Sequence, residues 1–163
     1  MSKPLKIFAV IGIIVAASVI GIIVAASVIG TIWPYIKMDF ASSAHYTEQD
    51  EREYAFYTPD ILKNMPRITA RYDFNFSNVT GPEAKVWTVN FYGTEDTSKV
   101  HTYLTSMGYK KQDRCDVEAE CWRAAGTHDV VTVATFDTDK SVMVQVYSSP
   151  YAEPLPLKTV SSY

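Results

Sequence analysis

The chain has 163 residues, 47% of them hydrophobic, with 15 basic and 18 acidic side chains. Setting aside Lys3 and Lys6, the rest carries 13 bases against 18 acids, a net charge of −5. That acidity excludes nucleic acid as a partner, and the length allows one modest domain besides a membrane segment.

Ile7 to Ile32 are 26 consecutive residues without a charge, Asn, Gln or Pro. As a helix this stretch is about 39 Å long, more than the roughly 30 Å hydrocarbon core of a bilayer. We expect a cytoplasmic segment over 1–6 and an uncleaved transmembrane helix over 7–33. A secretory signal has a shorter apolar run, and Ser42-Ser43-Ala44 lies too far beyond it to be the cleavage site. Cleavage after Ala25-Ala26-Ser27 is the alternative. No cysteine near the N-terminus offers a lipoprotein anchor. Lys3 and Lys6 face no acid on their side, whereas Asp39, Glu48, Asp50 and Glu51 follow the helix. The basic side stays inside, so the C-terminal part is expected in the periplasm or outside the cell. Trp33 and Tyr35 are expected at the membrane interface, with Pro34 ending the helix.

The span is built on a repeat. Ile11–Val19 reads IGIIVAASV, Ile20–Val28 repeats it verbatim, and Ile29-Gly30 begins a third copy. Nine residues are about 2.5 turns, so successive copies point roughly opposite ways. Gly12, Ala16, Ala26 and Gly30 gather on one side of the helix, and Ala17, Gly21 and Ala25 on the other. Small residues four apart let membrane helices approach closely. The expected partners are therefore the bilayer and either copies of this chain or other membrane subunits. A tandem duplication tolerated by any greasy span would look the same.

A connector over 34–66 follows, with a helix at about 48–57 and a turn or brief helix from Thr58 to Asn64. A mainly antiparallel domain is then expected over 67–149. Ile68, Ala70, Tyr72, Phe74 and Phe76 alternate with polar residues and predict a strand from Arg67 to Phe76, with a turn over Asn78–Pro82. Residues 85–92 make a second strand, with Trp87, Val89 and Phe91 on one face. Thr94 is placed to cap a helix over 95–107, which Gly108 terminates. Strands at 109–115, 120–124, 129–136 and 141–147 complete an α+β fold of order ββαββββ, a sheet with one helix packed on it. An extended tail, 150–163, ends the chain.

Cys115 and Cys121 are the only cysteines and flank the acidic tip Asp116–Glu120. In an oxidising compartment they are expected to form a disulfide. No catalytic, cofactor-binding or metal-binding motif stands out: His45, His101 and His128 are scattered, and no phosphate loop, nucleophile elbow or HExxH occurs. Asn75 and Asn78 both open glycosylation sequons, with Asn78 the better placed. The chain is rich in Tyr, 11 in all, a side chain suited to interfaces. The expected function is a non-enzymatic accessory subunit of a membrane assembly. The alternative is a tethered binding module, such as an immunity or inhibitor protein or a cell-wall binder.

Two partial resemblances bear on this. Val86–Tyr109 resembles the strand–helix–Gly-Tyr opening of peptidoglycan-binding SPOR domains, without the second helix those domains have. An apolar N-terminal helix followed by a sheet with a late disulfide is similar to type IV pilins and pseudopilins. Their processing site, a Gly before a Phe with Glu at the fifth position, is missing. Neither resemblance assigns a residue a role.

Overall fold

The computed structural model describes residues 3–152, in two units, Met1–Ala41 and Ser42–Tyr163. The tail expected over 150–163 lies outside the described residues from position 153 onward.

The first unit is one helix, α1 (Lys3–Asp39), long and apolar enough to cross a membrane. It runs through Pro34 rather than stopping there. The proline forgoes only one backbone bond, to Gly30. Ser18 and Ser27, equivalent in the two repeats, each donate to the carbonyl four residues back, on Ile14 and Ile23, at 2.8 Å. Thr31 donates to Val28 at 2.8 Å. The span's hydroxyl protons are thus satisfied within the helix and need no partner in lipid.

The second unit comprises β1 (Ser43–Tyr46), α2 (Glu51–Tyr57), α3 (Asp60–Lys63), β2 (Tyr72–Val79), β3 (Ala84–Tyr92), α4 (Ser98–Ser106), β4 (Lys110–Lys111), β5 (Glu120–Arg123), β6 (Val130–Phe136) and β7 (Ser141–Ser148). The seven strands form one antiparallel sheet in the order β1-β2-β3-β7-β6-β5-β4. The chain leaves the centre after β3, crosses by α4 to the far edge, and meanders back until β7 pairs with β3.

Register puts Tyr46, Phe74, Val89, Val144 and Val133 in one row across five strands. Phe76, Trp87, Val146, Val131 and Trp122 form the next row on the same face. This face carries the core, and α2, α3 and α4 cover it. Tyr57 stacks on Phe76 at 4.7 Å, Tyr54 meets Phe74 at 5.2 Å, and His101 lies 5.1 Å from Trp122. Val100 and Leu104 of α4 and Leu62 of α3 are buried, and the Tyr103 hydroxyl donates to the Ile61 carbonyl at 2.9 Å, tying the two helices together. Each large side chain buried this way contributes about 1.5–3 kcal/mol.

The α+β class holds, with four departures from the expected pattern. First, β1 is an unforeseen seventh strand: Ser-Ala-His-Tyr has little strand propensity, and its pairing with β2 holds it extended. Second, β2 starts at Tyr72 instead of Arg67 and runs past Asn78 to Val79, so Asn78 is a strand residue paired with Lys85. Third, the strand expected over 109–115 shrinks to Lys110–Lys111, a short lysine edge of the kind that resists pairing with another sheet. Fourth, Thr94 does not cap α4. Its hydroxyl accepts from the Asp96 amide at 3.1 Å, and the Asp96 carboxylate accepts from the Ser98 amide at 2.9 Å. Gly108 does end α4, at φ +84°, a conformation strained for other residues, and Tyr109 there donates back to Leu104 at 2.9 Å.

Candidate functional site

Four places in the chain gather chemistry. On α1, every residue from Val10 to Trp33 is exposed, including Gly12, Ala16, Ala17, Gly21, Ala25, Ala26 and Gly30. A Cβ added at Gly12, Gly21 or Gly30 would meet nothing within 4 Å. Trp33 and Tyr35 are also exposed, with the Lys37 ammonium 5.7 Å from the Trp33 ring centre.

In the second unit, Glu48 and Arg67 form the densest polar cluster. Arg67 donates from Nε to Glu48 Oε1 at 2.7 Å and from Nη2 to the same oxygen. It also donates to the Tyr54 hydroxyl at 2.9 Å and from Nη1 to the Leu62 and Met65 carbonyls at 2.9 and 2.8 Å. Tyr72 donates to Glu48 Oε2 at 2.8 Å, and the guanidinium lies 5.2 and 5.3 Å from the Tyr72 and Phe74 rings. The carboxylate and guanidinium are both bonded within the fold, so the cluster braces the connector against β2. Neither Glu48 nor Arg67 stands out in the sequence, because an arginine at the polar phase of an alternating run looks like an exposed strand residue.

At the other end of the sheet, Glu120 lies 2.7 Å from His101 Nε2 and 2.6 Å from Lys111 Nζ, linking α4, β4 and β5. His101 rests on Trp122 rather than beside a nucleophile. His45 pairs with Asn75 at 2.9 Å, and His128 bonds the Ala152 carbonyl. Among the described residues no three His, Cys, Asp or Glu side chains converge on one point.

The two carboxylates share an electrostatic pattern. Partial burial pushes Glu48 up, and Arg67 with the Tyr72 hydroxyl outweighs it, leaving the pKa below the ordinary 4.5. Burial likewise raises Glu120, and Lys111 and His101 outweigh it. A depressed carboxyl pKa adds stability above its unfolded value, and this is lost as pH falls through the folded value. The melting temperature should therefore drop as pH falls from about 5 to about 3, and Glu48→Gln with Glu120→Gln should flatten that slope in a pH series of thermal melts.

The fourth place is the sheet face opposite α2–α4. Cys115 and Cys121 are joined, with Cα atoms 5.4 Å apart. The tip they close walls a groove of about 620 Å³ whose floor is β6 and β7. Its lining includes Val117, Ala134, Phe136, Met143 and Tyr147, with Asp116 and Glu118 on the tip. The acidic tip was legible in the sequence, but the groove was not, since it needs the tip laid against strands that follow it. Comparison with protein-family models, curated proteins and solved structures finds no match for the chain.

Proposed function

We propose that the protein is a single-pass, non-enzymatic accessory subunit of a membrane assembly, with residues 1–6 cytoplasmic, α1 across the bilayer and the sheet unit on the outer side. The observation that carries this proposal is α1 itself: a 37-residue helix holding the uncharged run Ile7–Ile32, with small residues on two opposite sides and open space beyond its glycines. Such sides allow close backbone approach by neighbouring helices, and packing rather than hydrogen bonding provides the attraction, because the serine protons are already used. Lys3 and Lys6 support the orientation, and the disulfide supports an oxidising outer compartment.

Gly12→Ile combined with Gly21→Ile tests the packing. A Cβ added at either position meets nothing within 4 Å, so insertion and the sheet unit's melting should be unaffected, while the solubilised particle should shrink to a monomer in size-exclusion chromatography with light scattering. A wild-type chain that is already monomeric and carries no co-purifying protein would refute the subunit proposal.

A second proposal, a tethered binding module, is favoured by the groove on the open sheet face. On that account, replacing 7–33 by an unrelated poly-leucine span leaves partner binding unchanged. On the first, the same replacement abolishes it.

A further inference from the structure

The groove under the disulfide tip has features that specify an occupant. Its floor pairs Met143 with Ala134, Gln145 with Thr132 and Tyr147 with Val130 across β7 and β6. Val117 of the tip and Phe136 at the end of β6 both line it, at 58% and 45% exposure. Two exposed apolar side chains would be ordinary alone; sharing one groove with a methionine, an alanine and a tyrosine, they make its lining largely apolar. Among the described residues, the lining contains two carboxylates, Asp116 and Glu118, and no Lys or Arg. An acidic peptide is repelled there, and a basic one is attracted. Gln145 and Thr132 place amide and hydroxyl groups along the floor, able to bond a bound main chain.

We infer that this groove binds an extended segment of another protein that alternates apolar and basic side chains. The apolar groups lie between Val117 and the β6–β7 floor, and the cations pair with Asp116 and Glu118. The disulfide thereby acquires a specific role. Within the tip the Ala119 amide donates to the Val117 carbonyl at 2.8 Å, and the Cys115–Cys121 link ties the start of the tip to β5, helping to fix the groove wall. The inference rests on the exported unit contacting a protein partner; it does not depend on α1 packing, so the glycine variants above leave it untouched.

The test uses the full chain in an uncharged detergent, with labelled methionine methyl groups. Two ten-residue peptides are titrated, one alternating leucine with lysine and one alternating leucine with glutamate. The lysine peptide should shift the Met143 methyl resonance and leave Met107, beyond the end of α4, in place. Asp116→Lys with Glu118→Lys should weaken binding about tenfold. Cys115→Ser with Cys121→Ser should abolish binding while the far-ultraviolet circular dichroism of the sheet persists. Equal binding of the glutamate peptide, or wild-type affinity in both sets of variants, would overturn the inference. So would binding that appears only once residues 153–163 are deleted, which would make the chain's own end the occupant. A concentration-dependent Met143 shift without peptide would overturn it too, in favour of a second copy.

Discussion

Phe74→Ala should destabilise the sheet unit by about 3–5 kcal/mol, the usual cost of emptying a fully buried aromatic site. Phe74 is 0% exposed and is the β2 member of the row that runs from β1 to β6. Its ring stacks against Tyr46 at 5.7 Å and meets Tyr54 and Tyr72 edge-on at 5.2 and 6.0 Å. Four elements thus converge on one ring: β1, α2, the start of β2 and, through Arg67, the loop before it. Aromatic side chains are stiff and cannot collapse into the vacancy, which puts the cost in the upper part of the range. A domain of this size has about 5–15 kcal/mol to lose. Denaturant unfolding of the full chain in mild detergent, followed by the fluorescence of Trp87 and Trp122, should show a sharply lower midpoint. A midpoint within about 1 kcal/mol of wild type would mean that this row is not the core.

Arg67→Ala should cost about 2–4 kcal/mol by the same measurement. The substitution strips donors from the Leu62 and Met65 carbonyls and leaves Glu48, whose side chain is 33% exposed, without its cation. Arg67→Lys should recover less than half of the loss. A single ammonium cannot reach Glu48, Tyr54 and the carbonyls together, as the planar guanidinium does. Because Arg67 also lies 5.3 Å from the Phe74 ring centre, the double variant should lose less than the two single losses combined. Full additivity would show that the brace and the aromatic row act separately.

These two residues illustrate what could be read from the sequence. Phe74 was visible because period-two alternation reports a buried face directly, and β3, β6 and β7 lie within a residue or two of their expected bounds. Arg67 shares that alternation and was misplaced by it. Its carbonyl partners on α3 and the following loop hold the stretch before Tyr72 out of the sheet, and the contact with Glu48 spans 19 positions. Ser43–Tyr46 shows the converse, a strand made by its neighbour rather than by its own residues. The disulfide was legible from count and spacing alone. The groove beside it depends on where the tip falls on the sheet, which no local pattern encodes. Pro34 was read by the rule for soluble helices, whereas α1 continues for five more residues, to Asp39.

We propose that α1 is retained as an anchor, with the sheet unit on the far side of the membrane from Lys3. A membrane-impermeant maleimide applied to intact cells tests this directly, using Ser2→Cys and Lys99→Cys variants. Position 2 precedes α1 and Lys99 is an exposed residue of α4, while the native cysteines are paired. Lys99→Cys should label in intact cells at the mass of the full chain, and Ser2→Cys should label only after the membrane is permeabilised. Labelling at position 2 from outside, or a labelled sheet unit released without its helix, would contradict it.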